Sequence, residues 1–449
     1  MSDVTSTGIN STKINLSGFA KLNRIERIQK LEELGLLEGD DVDLLMRERT
    51  LDPILAESFI ENVIGYFQIP LGVATNFRID QKDYVIPMAV EETSIIAAAS
   101  ATAKWVRDHG EVTTDVSGKN VIGQIQIGRC KDLITTKKII EENKKMLLRE
   151  ANFVAEGLVR RGGGVKDLEI RIVPRSDQTT NLENLLPENS MMVIHVHADA
   201  RDAMGANILN QVCEALKNPI QDLTGEKVTM CILSNLVDTK LTRAEVRIFG
   251  IEPELAERIE EASLFAWQDP YRAATNNKGI LNGIDAMVVA TGNDWRAVEA
   301  GMHAYAVKEG RYRTLSRWKR EGDDLVGIME APIVVGTVGG VTRLHPMARM
   351  SLKLMGITSA EHLSRLMAAV GLVQNLGALK ALSTVGIVQG HMRLHTTNLA
   401  LAAGAAKEEI PDIRRELEAL LLKNRRISHS QAVEVLEKYR RSHVSTLSP

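Results

Sequence analysis

The sequence predicts an α+β multidomain fold in which a compact α/β unit is set inside a larger helical one. Three observations predict it. Between residues 119 and 235, strand-like and helix-like runs follow the order β-α-β-β-α-β, the split arrangement of ferredoxin-like units. On both sides the texture is helical, with apolar residues recurring every three or four positions. The chain has 449 residues, 44% hydrophobic and 25% charged, which is enough to build cores without help from disulfides or metals. At that length about two or three domains are expected.

The elements follow in order. Residues 19–47 read as a helix, with Leu22, Ile25, Ile28, Leu31 and Leu34 at a spacing of three. A second helix is expected over 53–64, ending at Gly65. Phe67 to Pro87 reads as extended, turning at Asp80–Asp83. An alanine-rich helix covers 91–107, and its small face (Ala97, Ala98, Ser100, Ala101) predicts burial against another helix. Strands are expected at 121–128, 167–173, 191–199 and 227–235, with helices over 131–160 and 203–217 between them. Further helices are expected at 293–309 and 359–385, and residues 314–336 read as hairpin material. After Gly390 short charged helices form a tail that reads as a separate unit.

Composition excludes several classes. The 55 basic and 58 acidic residues leave no global electrostatic footprint for nucleic acid. The few aromatics, 4% of the chain, offer little for base stacking. No run of about 18 apolar residues predicts a membrane span, and the start, MSDVTSTGIN, lacks the pattern of a signal peptide. Three cysteines, Cys130, Cys213 and Cys231, form no CxxC pair and fit a reducing compartment. A soluble, cytoplasmic protein is expected.

The Rossmann GxGxxG and P-loop signatures are missing. His195 and His197 alternate along a strand and share a face, but no accompanying Cys or carboxylate spacing marks a metal site, so ordinary strand packing is preferred and no metal is expected. Four clusters carry chemistry. Glu91–Glu92–Thr93–Ser94 opens the alanine-rich helix, where carboxylates and hydroxyls also serve as caps. The run Asp202–Asn207, DAMGAN, places small residues at a helix start whose free N–H groups suit a pyrophosphate, although a plain capped helix reads equally well. Residues 270–301 hold Lys278 among Asn276, Asn277, Gly279, Asn282 and Gly283, too polar for a simple core segment, followed by Asp294 before a helix. Gly390–His395, GHMRLH, puts His391 just after a glycine, suited to proton delivery or simply to the surface. Together, lysine, carboxylic acids and histidine form a toolkit for reducing a thioester: a cation for developing oxyanion charge and acids for carbonyl and thiolate.

At these motifs the chain resembles a class II, bacterial-type 3-hydroxy-3-methylglutaryl-coenzyme A (HMG-CoA) reductase, from ENVIG (61–65) through DAMGAN, NNKGILNGID and ATGNDWRAVEAG to GHMRLH. The resemblance implies two hydride transfers that convert HMG-CoA to mevalonate and CoA through mevaldehyde, or the reverse. It implies that Lys278 stabilises the carbonyl oxygen, Glu92 donates the proton, Asp294 hydrogen-bonds both and tunes them, and His391 protonates the departing thiolate. It places the cofactor at Asp202, Met204, Gly205, Ala206, Asn207 and Asn235, and the substrate near Ser94, Arg272 and Asn282. The implied architecture is a large helical substrate domain (1–118 and 231–387), an inserted ferredoxin-like NAD(P)-binding domain (119–230) and a helical C-terminal flap (388–449), assembled as homodimers with interfacial sites and room for higher oligomers. NADH-preferring members carry an aspartate seven positions before the triple glycine; here that position is Ala155, which predicts NADPH or dual use. Two other readings remain: a reductase of another acyl-CoA, for which Arg272 would have no carboxylate to bind, and a silent CoA-binding oligomer, which would have no chemical reason to keep all four catalytic types.

Overall fold

The computed structural model describes residues 14–47, 53–175, 190–384, 396–406, 408–424 and 427–444. Its elements run α1 (Arg24–Glu33), α2 (Gly39–Met46), α3 (Pro53–Glu57), β1 (Leu71–Ile79), β2 (Lys82–Ala89), α4 (Ile95–His109), β3 (Gly110–Ser117), β4 (Asn120–Ile127), α5 (Leu133–Glu142), α6 (Lys144–Val154), α7 (Glu156–Arg160), β5 (Gly164–Pro174) and β6 (Ser190–Asp199). They continue with α8 (Ala206–Thr224), β7 (Met230–Leu233), β8 (Leu241–Ile248), α9 (Pro253–Gln268), α10 (Pro270–Ala290), α11 (Trp295–Tyr305), β9 (Ser316–Glu321), β10 (Asp324–Ala331), α12 (Gly340–Leu344), α13 (Pro346–Leu354) and α14 (Ala360–Ser383).

The strands form a hairpin, β1-β2, and two four-stranded antiparallel sheets ordered β3-β8-β10-β9 and β5-β6-β4-β7. The second order is that of a split βαβ unit: the first strand, β4, lies between the third and the fourth. Helices α5 to α8 cover one face of it, over a core that includes Ile125, Leu147, Ile194 and Leu216. The sheet runs past the boundary expected at residue 230, because β7 pairs with β4 through Leu233.

The first sheet packs on α14 and α9, and α10 packs on α14, α9 and β2. α10 starts where Asp269 caps the Tyr271 N–H ahead of Pro270, an arrangement that pre-sets the first turn. It crosses α14 closely: a Cβ on Gly371 would meet the Ile284 side chain at 2.8 Å, so glycine here lets the helices approach without moving that side chain. Residues 270–290 are therefore a core helix, contrary to the expectation drawn from their polarity. The side chains of Asn276 and Asn277 are buried but satisfied. Asn277 donates to Tyr312 Oη and the Arg313 carbonyl and accepts from the Leu315 N–H. Asn375 of α14 donates to Asn276 and accepts from Trp318 Nε1 and Ser316 Oγ. Such a network is favourable inside a core only when every member is paired.

Other expectations shift. Residues 19–47 split into α1 and α2 around Gly35, whose φ of 69° ends the first helix. Of 53–64 only α3 is helical. The 131–160 helix breaks into three at Asn143 and Ala155. β3 and β8, the edge-to-centre pair of the first sheet, were not expected as strands. The alanine-rich helix is α4, but it buries Ile95, Ala99, Thr102, Ala103 and Val106, leaving Ala97, Ala98 and Ala101 exposed. Among the described residues α14 is the one helix long and apolar enough to cross a membrane; most of it is buried in the core, against α10, α4, α9 and β8. At the C-terminus, helices Ile410–Asn424 and His429–Val444 share a small core of Ile413, Leu417, Ala432 and Leu436.

Candidate active site

Lys278 sits on the outward face of α10, and its Nζ donates to Glu92 Oε2 at 2.8 Å. Both side chains are well exposed, so the pair lies open on the single chain. Glu92 is delivered by the turn before α4. There Ser94 adopts φ 74°, the left-handed region a non-glycine residue avoids, and its Oγ is buried without a hydrogen-bond partner. The expected cap at this position is not made by Ser94. Strain together with an orphaned hydroxyl points to function rather than packing.

Asp294 caps α11. Its Oδ1 accepts from the Arg296 and Ala297 N–H groups at 3.1 and 3.3 Å, and Arg296 closes a salt bridge on the same carboxylate. Among the described residues it bonds neither Lys278 nor Glu92, so the expected three-way link is not made in this conformation. The turn bearing Asp294 is fixed by Asn293, which accepts from the Gly336 N–H at 2.7 Å and donates to its carbonyl at 3.1 Å. Arg272 lies two turns before Lys278 and donates to Asn276 Oδ1 at 3.2 Å, so the buried network holds it. Asn282 is half-buried on the Lys278 face. His391 lies outside the described residues.

Four of the six cofactor candidates line one crevice. Met204, Gly205, Ala206 and Asn235 line it together with Ala297 of α11 and Val121 of β4. Gly205 precedes α8 with φ 92°, and a Cβ there would meet that of Ala200 at 2.9 Å. No side chain caps α8, so its first N–H groups, near the exposed Asn207, stay open for an anion. Asp202 is committed elsewhere: its Oδ1 accepts from the Ala360 N–H at the start of α14.

Ala155 corrects an expectation. It is fully buried at the α6–α7 junction, inside the core of the second sheet, so its side chain faces no cofactor surface. The His195–His197 pair has a carboxylate neighbour that strand pairing brings in: Glu169 stands opposite His195, and ligating atoms of all three lie within 4.8 Å. The Arg171 guanidinium reaches His195 Nε2 at 3.1 Å, however, and opposes a cation there. Burial and Arg171 also push the His195 pKa below its usual value.

One pair escaped sequence reasoning. Asp285, two turns beyond Lys278 on α10, meets Glu299 of α11. Burial foremost, then Glu299, pushes its pKa up to about 8. A lone acid in the apolar run GIDAMVVA, in helical phase with Lys278 and Asn282, was the available signal.

Comparison with known proteins gives the family. A profile of the family "Hydroxymethylglutaryl-coenzyme A reductase" matches residues 23–396. The 3-hydroxy-3-methylglutaryl-coenzyme A reductase of Archaeoglobus fulgidus is 43% identical over 431 residues, 95% of this chain and 94% of its own. A probable reductase of the same kind from Borreliella burgdorferi is 32% identical, over 95% and 97% of the two chains. Among solved structures, a Streptococcus pneumoniae 3-hydroxy-3-methylglutaryl-coenzyme A reductase superposes with TM-score 0.79 at 36% identity, covering 95% of this chain and all of that one. A class II enzyme from the same species, bound to NADPH in open conformations, gives 0.78 at 37% identity, covering 83% of this chain and all of that one. Fold and relatives together define an oxidoreductase of mixed α/β architecture. The chain belongs to the hydroxymethylglutaryl-coenzyme A reductase family, as a class II-type member, and reduces HMG-CoA in the mevalonate pathway.

Proposed function

We propose that this chain converts HMG-CoA to mevalonate and CoA, or the reverse, with Glu92, Lys278, Asp294 and His391 as its catalytic residues. The 2.8 Å Lys278–Glu92 bond carries the reading, because it joins a cation and an acid from distant parts of the chain at an open surface. Lys278 stabilises the carbonyl oxygen as it gains charge, and Glu92 supplies the proton that quenches it. Asp294, one short turn beyond α10, adjusts both when the site closes. His391 protonates the leaving thiolate, a role confined to the thioester step. Arg272 binds the free carboxylate of the glutaryl group, the orphaned Ser94 hydroxyl donates to substrate, and Asn282 supports it.

NADPH or NADH, when bound, supplies the hydride. The uncapped α8 start and the Gly205 cradle fit its pyrophosphate, with Met204, Ala206, Asn207 and Asn235 lining the way to α11. Asp202 serves there by anchoring the turn to α14. With Ala155 buried, the leaning to NADPH or dual use rests on Arg201, exposed beside Asp202 with its Nε donating to the Arg161 carbonyl. The reading assigns the cofactor to the split βαβ unit (119 through β7), the substrate to the flanking helical region, and closure to a flap from 388 onward. It also assigns a soluble, cytoplasmic homodimer with shared sites, open to higher assembly. Ile60, Ile64 and Phe67 around ENVIG, and Ala97 and Ala98 beside Glu92, present the exposed apolar surface such a dimer would cover.

The test is oxidation of NADPH and NADH, in parallel, by the purified protein with HMG-CoA. His391→Gln should slow thioester reduction while sparing mevaldehyde reduction. Equal losses in both would remove the thiolate role.

A further inference from the structure

A second cavity, of about 260 Å³, lies between the end of α9, the end of α11 and the paired strands β9 and β10. α11 carries Asp294 at its start and this cavity at its other end, about 16 Å away. Trp267, Tyr305, Lys308, Arg313, Thr314 and Arg317 line it. Both aromatic rings are faced by cations. The guanidiniums of Arg313 and Arg317 stand 4.6 and 4.2 Å from the centre of the Trp267 ring, and Lys308 Nζ stands 3.9 Å from that of Tyr305. Two acids also reach the cavity, and both are held. Tyr305 Oη donates to Glu330 Oε1 at 2.5 Å, with Lys308 Nζ 3.9 Å from the same oxygen. Glu309 Oε2 lies 3.3 Å from Arg313 Nε, which is buried and makes no hydrogen bond. Arg317 is exposed and pairs with no acid among the described residues. The walls are fixed in advance: Arg313 Nη1 donates to the Trp267 carbonyl at 3.4 Å, and the Arg313 carbonyl and the Leu315 N–H both bond the Asn277 amide at 2.9 Å.

We propose that this cavity is a second ligand site, for a small molecule bearing phosphate, and that its occupancy is felt at Arg272. A guanidinium stacked on a ring keeps its N–H fork free at the edge, and that fork matches carboxylate or phosphate oxygens. A carboxylate fills one fork, whereas the several oxygens of a phosphate bridge two and still accept from Lys308. Two positive charges gathered on one indole repel each other, and a bridging anion relieves that repulsion. The cavity wall leads to the substrate region. Thr314 Oγ1 accepts from Asn276 Nδ2 at 2.6 Å, and Asn276 Oδ1 accepts from Arg272 Nη2 at 3.2 Å. A phosphate that draws on the Thr314 hydroxyl loosens this relay, so Arg272 meets the glutaryl carboxylate less well and the KM for HMG-CoA rises. The effect on KM rests on the reading of Arg272 as a substrate residue; the binding site itself does not.

The probe is inorganic pyrophosphate, titrated into the full-length protein with saturating NADP+ so that the crevice at α8 is already filled. Binding is read by isothermal titration and by tryptophan fluorescence in the wild type, Arg317→Gln and Trp267→Phe. The wild type should bind pyrophosphate with a fluorescence change that Trp267→Phe loses. Arg317→Gln, at an exposed strand position, should fold normally and weaken binding by about 10-fold or more. Initial rates should show pyrophosphate raising the HMG-CoA KM by about 5-fold or more at constant kcat in the wild type, and not in Arg317→Gln. No binding in the presence of NADP+, equal binding by Arg317→Gln, or acetate bound as tightly as pyrophosphate overturns the site. Binding without a change in KM, or a KM rise that persists in Arg317→Gln, overturns the coupling to Arg272. An HMG-CoA KM left unchanged by Arg272→Ala would instead overturn the substrate role of Arg272, and the titrations alone would then decide the site.

Discussion

The α10–α11 hairpin and the turn at 202–207 meet at one crevice, lined by Ala297 and residues 204–206, but are built by different means. The hairpin presents charged side chains, Lys278 and Asp294, from a base held by buried amides and by Asn293 on Gly336. The turn offers backbone: a positive-φ glycine, an uncapped helix start and one carboxylate used as an anchor. Side-chain chemistry tolerates little displacement, so its support is dense. A run of N–H groups needs only the right chain path. Substitutions should therefore act on kcat in the hairpin and on cofactor KM in the turn.

The largest effect should come from Lys278→Ala, with kcat down by about 10³-fold while HMG-CoA still binds. Steady-state assays with isothermal titration check it, and near-normal turnover would take lysine out of the chemistry. Next, Gly205→Val should raise cofactor KM by about 10-fold or more, because a side chain at φ 92° costs about 1–2 kcal/mol before its Cβ meets Ala200. If kcat falls instead and KM holds, the division between hairpin and turn breaks. Asn293→Ala should destabilise by about 1–3 kcal/mol, since it strips the partners from both backbone groups of buried Gly336, as a denaturant titration would show. Asp202→Ala should cost about 1 kcal/mol through the lost cap on Ala360.

The smallest effect is in pH. Asp285 is raised from 3.8 to about 8, so the native state keeps a proton that the unfolded chain has released. Its contribution is full below pH 3.8 and is lost as pH rises through about 8. Glu409, lowered from 4.5 to about 2 by Arg440, works in the opposite direction: its contribution is present above pH 4.5 and lost toward 2. Unfolding titrations across that range should lose the upper slope in Asp285→Asn and keep the lower one.

Much of this was legible in order along the chain. The split βαβ unit showed because strand alternation and helical spacing are local patterns. DAMGAN and GHMRLH were visible as glycine-marked motifs. The glycine-rich asparagines of 270–283 misled, because their hydrogen-bond partners at 312–316 and 375 lie far along the chain. Ala155 misled for a similar reason, since an ungapped count says nothing of which way a side chain points.

The sequence by itself determined the residue types of the chemistry, the βαβ order and the family, because these rest on local spacing and identity. Only the tertiary structure decided that Lys278 meets Glu92, that Asp294 is occupied by Arg296, that Ala155 is buried and that Asp285 faces Glu299. Most of these depend on which elements pack together: Lys278 and Glu92 lie 186 residues apart, and Ala155 is covered by the core of the second sheet. Burial and proton affinity are properties of such juxtapositions, not of any residue taken alone.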